Sequence, residues 1–334
     1  MDMNGPGKPP LKGLPSVRRR PVSLSPEALI KVSTLSASNK LPLVIEPEVE
    51  GVDPVTWAES SRDFIESNLG KHGCVLFRGF DINGVEAFER FTRAISTELL
   101  EYSERSSPRS QVSGKIYTST NYPANQSIFL HNENSYQRTF PMKIIFYCQT
   151  AAQTGGETPI ADCRNVFRRI SERVKRRFMD GGWMYVRNFG DGFGLSWQTV
   201  FQTEDKSVVE AHCRKNGIQF EWREGDRLRT RRILPAHLIH PKTGDYTWFN
   251  HATFFHVTSL DAPLRDSLLE EFKEEDLPTN TYYGDGSRIE PEVLDELRSC
   301  YLKEMVSFPW RERDVLLLDN LMPVPTSMSI FLKP

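Results

Sequence analysis

The stretch "LHNENSY" (130–136) places His131 two residues before Glu133. Imidazole and carboxylate both bind divalent metals, so chemistry is sought here first. The spacing alone carries little. With 7 His and 44 Asp plus Glu in 334 residues, about one His-x-Asp/Glu arises by chance, and this is the single one in the chain. If "SIFLHNE" (127–133) is a strand, residues i and i+2 share a face. His131 and Glu133 then address one ion while Asn132 points away. A second His on that face would leave three coordination positions for a chelating cosubstrate and O₂, as in non-haem iron oxygenases.

Other residues could take part. Gly155-Gly156-Glu157-Thr158 offers a hydroxyl after a tight turn, although Gly-Gly before Thr-Pro is ordinary turn chemistry. His251 and His256 flank "ATFF" and could supply a third ligand; their plainer reading is packed structural histidines. His237 and His240 in "AHLIH" have helical spacing, but Pro241 favours a loop there. Trp197 and Arg187 are candidates for the substrate side, with nothing in the sequence to fix them.

These residues need a frame. "LPLVIEPEV" (41–49) reads as the first strand and "VTWAESSRDFIESNLGKHG" (55–73) as an amphipathic helix that Gly70 can end. "CVLFRGF" (74–80) follows as a buried strand and "VEAFERFTRAIS" (85–96) as a second helix. "KIIFYCQT" (143–150) and "GGETPIAD" (155–162) are strand-like. "VFRRISERVKRRFMDGG" (166–182) reads as one basic helix whose six Lys/Arg form a solvated face. "QFEWR", "LRTRRIL", "DYTWFN" and "DVLLLDN" are short strands, so the later part is β-rich. Residues 1–40 are a basic, Pro/Ser-rich tail expected to be poorly ordered, residues 41–320 the folded domain, and residues 321–334 an atypical C-terminal segment.

Composition narrows the classes. A hydrophobic fraction of 38% supplies a sizeable core, and a net charge of −2 argues against a nucleic-acid partner. No apolar run of membrane-spanning length occurs, so no membrane partner is expected. Five scattered Cys without a CxxC pair suit free, buried thiols in a reducing, cytoplasmic setting.

The run "LHNENSYQRTFPMKIIFYCQTAAQTGGETPIADCRNV" resembles the taurine dioxygenase / clavaminate synthase-like family of Fe(II)- and 2-oxoglutarate-dependent dioxygenases. There a His-x-Asp/Glu precedes a Pro, an aromatic-rich strand and Gly-Gly-Asp/Glu-Thr. Here these are His131-Asn132-Glu133, Pro141, "IIFYC" and Gly155-Gly156-Glu157-Thr158, with Thr158 following His131 by 158 − 131 = 27 residues. "HGCVLFRGF" (72–80), "YVRNFGDGFGLSWQTVF" (185–201) and "TWFNHATFFH" (247–256) extend the resemblance over roughly 41–320. It implies an α+β, mainly β fold: a double-stranded β-helix, or jelly roll, with flanking helices. It further implies Fe(II) held by His131 and Glu133, and 2-oxoglutarate held partly by Thr158. The implied substrate is a small organic acid or amino acid.

The resemblance breaks at the end. The family continues after the "DVLLLDN" strand with a His-Gly-Arg segment; this chain reads "LMPVPTSMSIFLKP", with no His after His256 and no Arg after Arg313. The tail looks like a changed reading frame or alternative final exon. Pro323 and Pro325 are expected to disturb the ligand strand. "DVLLLDN" could then become an edge that pairs with a second copy, so a homo-oligomer stands beside a small molecule among the partners. Three readings stay open: a dioxygenase-like enzyme weakened by its tail, a non-catalytic or truncated jelly-roll module, or a metalloenzyme recruiting His251 or His256.

Overall fold

The computed structural model describes residues 25–36, 39–96, 98–100, 110–118, 128–190 and 194–325. Two strands, Ile30–Ser36 (β1) and Asn39–Pro47 (β2), lead into helices Pro54–Ser60 (α1) and Arg62–His72 (α2), strand Cys74–Phe77 (β3) and helix Gly84–Ile95 (α3). The middle carries Gln111–Ser113 (β4), Ile116–Tyr117 (β5), Lys143–Tyr147 (β6), Ile160–Asp162 (β7), Cys163–Arg169 (α4), Glu172–Gly181 (α5) and Trp183–Phe189 (β8). Then come Trp197–Phe201 (α6), Lys206–Asn216 (α7), Gln219–Arg223 (β9), Arg227–Leu234 (β10), His237–Ile239 (β11) and Tyr246–Trp248 (β12). The chain closes with Ala262–Glu271 (α8), Thr279–Tyr283 (β13), Pro291–Glu304 (α9), Met305–Val306 (β14), Val315–Asp319 (β15) and Pro323–Pro325 (β16).

Order begins before Leu41, the expected start, because β1 pairs antiparallel with β2. Two expected helices are each broken in two. Ser61 separates α1 from α2, and Gly73, not Gly70, caps α2 in the left-handed region (φ 78°). A Cβ on Gly73 would lie 2.9 Å from Met322 Cβ and Pro323 Cδ, so the C-terminal segment packs on this corner. Ser171, whose hydroxyl caps Val174 N–H, starts α5 after a break at Ile170. The basic face of α4 and α5 is tied into ion pairs such as Arg169–Glu304 and Arg177–Asp285.

The first sheet has the order β1-β2-β3-β15-β6, with β2 and β3 parallel and the other pairs antiparallel. Strands β3 and β15 are buried on both faces. Val75, Phe77, Val315 and Leu317 pack among residues of α1–α3, whereas Cys74, Leu76, Leu316 and Leu318 pack with Phe308 and Trp310. That explains why both strands read as unbroken apolar runs rather than alternating ones. The expectation of an exposed "DVLLLDN" edge is overturned: β15 is flanked by β3 and β6. The second sheet runs β13-β8-β10-β9, and a third, β14-β7-β16, holds the C-terminal strand at its edge. Pro323 and Pro325 therefore permit a strand, since a proline without an N–H is tolerated at an edge. Helices α4, α5 and α9 cover the second sheet around Trp183, Tyr283 and Leu297. The described sheets do not close into a barrel. All five cysteines are free and buried, as expected.

Candidate active site

His131 and Glu133 do not lie on a strand. Residues 128–132 have no regular secondary structure, and Glu133–Tyr136 form a turn, so the shared-face argument for "SIFLHNE" does not apply. Asn134 in the left-handed region (φ 56°) bends the turn, a conformation Asn tolerates. Ile128 and Leu130 are nevertheless buried and anchor the approach.

Tertiary contacts hold the loop where a ladder would otherwise do so. Asn320, fully buried just after β15, accepts a 2.9 Å hydrogen bond from Glu133 N–H and donates a 2.9 Å bond to Glu133 C=O. The same amide donates to Pro141 C=O at 2.8 Å. Asn132 donates to Asn320 C=O at 2.8 Å. Beside it, Asp319 takes His240 Nε2 at 3.0 Å and Leu321 N–H at 3.0 Å. His240, expected in a loop, thus closes β11 and braces this corner; its Nδ1 accepts from Lys242 and Thr243 N–H. Sequence reasoning missed Asn320, although a polar Asp-Asn pair ending a wholly apolar strand is a visible signal.

His131 is buried. Its Nδ1 sits 2.8 Å from Phe129 C=O, which assigns the proton to Nδ1 and the lone pair to Nε2. Its ring stacks on Phe254 at 4.2 Å, and its main-chain N–H donates to Pro325 C=O at 3.1 Å. His251 lies beside it, ring centroids 5.1 Å apart, with Nδ1 engaged by Ser135 Oγ. Burial, and then the neighbouring His131, push the His251 pKa well below the ordinary histidine value. His256 faces away to Thr258, and burial lowers its pKa to about 4.

Thr158 is buried, and its hydroxyl accepts a 3.0 Å bond from Trp310 Nε1, which leaves its own proton to donate. The Gly155-Gly156 turn before it has positive φ at both residues, and a Cβ on Gly156 would lie 2.6 Å from Ala152 Cβ. Two residues on, Ile160 pairs with Pro325 across β7 and β16, and Pro325 meets His131. One strand pair therefore links Thr158 to the His131 loop. Trp197 belongs to a separate cluster, where it donates to Asp226 C=O and packs on Trp222. Arg187 lies on the second sheet, its guanidinium over Phe189 and Tyr185.

The family model of the taurine catabolism dioxygenase TauD, TfdA family matches residues 37–322. The chain belongs to that dioxygenase family. Over 258 residues it is 42% identical to the dapdiamide synthesis protein DdaC of Enterobacter agglomerans, covering 77% of this chain and 78% of that one. It is 29% identical to a clavaminate synthase-like protein of Arabidopsis thaliana over 272 residues, 78% of this chain and 79% of the other. Among solved structures, PvcB of Pseudomonas aeruginosa shares the fold, with a TM-score of 0.52 and 16% identity over 93% of this chain and 88% of PvcB. A second PvcB structure, described as an Fe, alpha-ketoglutarate dependent oxygenase from an isonitrile synthetic pathway, gives 0.51 at 15% identity, covering 93% and 89%. The fold of this TauD/TfdA-family chain is thus the jelly roll with flanking helices.

The residues present fit a family iron centre only in part. His131 has Nδ1 committed to a carbonyl, the tautomer that puts its lone pair on Nε2, and Glu133 sits on a braced loop. The C-terminal strand reaches His131, but what it brings there is Pro325. Among the described residues no group of three His, Cys, Asp or Glu is placed to hold a metal ion. No helix of the described residues is long and apolar enough to cross a membrane.

Proposed function

We propose that this member of the Fe(II)- and 2-oxoglutarate-dependent oxygenase family retains His131 and Glu133 as metal donors and Thr158 as a donor to 2-oxoglutarate, and that its iron affinity and turnover are low. Its active relatives would hydroxylate a small organic acid or amino acid. The carrying observation is the strand β16, which passes against His131 with prolines at 323 and 325 and no histidine. The family match also ends at residue 322, immediately before that strand. Two protein donors hold a divalent ion less firmly than the three of a facial triad.

The experiment is anaerobic titration with Fe(II) in the presence of 2-oxoglutarate, followed by succinate formation in air. The unaltered chain should give a weak chelate absorption band and little succinate. Pro325→His, or replacement of residues 321–334 by a His-Gly-Arg-containing family tail, should strengthen the band. A full-strength band in the unaltered chain that survives both His251→Ala and His256→Ala would refute the reading.

A further inference from the structure

We infer that Arg187 anchors the carboxylate of a small acid with an apolar or aromatic body, bound between the second sheet and the His131 loop. The location rests on the reading that this loop marks the ligand-binding end of the domain. In the β8–β10 pair, Arg187 is opposite Thr230 and Arg232 is opposite Tyr185, so all four share one face. That face also carries Trp183, Tyr185 and Leu234, which belong to the same buried cluster as Tyr136 of the loop. Two guanidinium groups thus stand as diagonal neighbours on an otherwise largely apolar surface. Arg232 is tied to the loop by a 2.7 Å bond from Nη1 to Tyr136 C=O.

Arg187, half-buried, differs from the ion-paired arginines of the interior, Arg78 and Arg229. Arg78 has Asp314 as its carboxylate, and Arg229, on the opposite face of β10, has Asp276. Among the described residues no carboxylate pairs with Arg187; its guanidinium lies 4.7 Å from the Phe189 ring centroid and 5.9 Å from that of Tyr185. A guanidinium stacked on rings keeps its in-plane N–H fork for bidentate recognition of a carboxylate. The ring of Tyr185 stacks on Phe255 at 4.7 Å, Phe255 lies 4.4 Å from His251, and His251 lies beside His131. A carboxylate at Arg187 would leave the rest of its molecule to run along this aromatic wall toward His131.

The test is calorimetric titration of the full chain in EDTA with 3-phenylpropionate and its amide, which share a shape and differ in charge. The acid should bind and the amide should not. Arg187→Gln should weaken the acid at least tenfold, and Arg187→Lys by a smaller factor, because a point charge replaces the fork. Arg93→Gln, an exposed charge paired with Glu89 on α3, should change binding less than twofold. Far-ultraviolet circular dichroism checks that each variant folds. The inference is overturned if the acid does not bind, if the amide binds equally, if Arg187→Lys matches the unaltered chain, or if Arg93→Gln weakens binding as much as Arg187→Gln. Because metal is excluded, loss of binding in the Arg187 variants is distinguishable from any failure of the iron titration.

Discussion

Truncating Asn320 to alanine removes the bracket that fixes Glu133. The side chain is fully buried and makes three bonds of 2.8–2.9 Å, to Glu133 N–H, Glu133 C=O and Pro141 C=O. A net contribution of about 1 kcal/mol per bond, plus the cost of leaving partly buried main-chain groups unpaired, puts the loss at about 3–5 kcal/mol. That is a sizeable share of a typical domain's ~5–15 kcal/mol. Asn320→Asp should do no better. It keeps an acceptor for Glu133 N–H but turns a carboxylate oxygen toward two carbonyls. Urea unfolding gives the global value. Hydrogen exchange of the 130–137 peptide gives the local one, since Glu133 N–H loses its acceptor; a local loss of about 3 kcal/mol speeds exchange roughly a hundredfold. If Asn320→Ala costs under about 1 kcal/mol and protection of 130–137 is unchanged, the bracket does not hold the loop.

Acid should destabilise the fold before the carboxylates titrate. His256, with its pKa lowered to about 4, is neutral when folded and takes a proton near pH 6.5 when unfolded, so its stabilisation is complete above that pH and fades below it. Between pH 7.5 and 5 this amounts to about 2 kcal/mol, with His251 adding in the same direction; a His256→Gln variant should show a flatter profile in urea titrations over that range. Arg78→Ala should cost about 3–5 kcal/mol by leaving the fully buried Asp314 carboxylate uncompensated, and an urea midpoint unchanged from the unaltered chain would contradict this. Native thiols should resist labelling by Ellman's reagent at pH 8 and react only as the chain unfolds. Burial raises the Cys74 and Cys163 pKa values far above the usual thiol range and that of Cys148 to about 12, leaving almost no thiolate. Rapid labelling of Cys74 or Cys148 in the folded chain would overturn this.

The sequence by itself determined the features that are local. "CVLF" and "VLLLD" read as strands from their unbroken apolar runs, the cysteines inside apolar runs suited free, buried thiols, and the ordered motifs from His131 to Thr158 pointed to the family. The pairing of segments far apart was decided in three dimensions. Periodicity within "DVLLLDN" cannot say whether β15 is central or an edge, because that depends on which strands supply its partners. The breaks at Ser61 and Ile170 are equally invisible to an apolar repeat that continues across them. His131-Asn132-Glu133 looks like a strand end in sequence and is an irregular segment entering a turn at Glu133 in the structure. Its support comes from Asn320, 187 positions away from Glu133, and no windowed pattern can carry a contact of that separation. The same holds for Arg187 and Arg232. Their types were legible, but only the antiparallel register of β8 with β10 placed both on the face that turns toward the core.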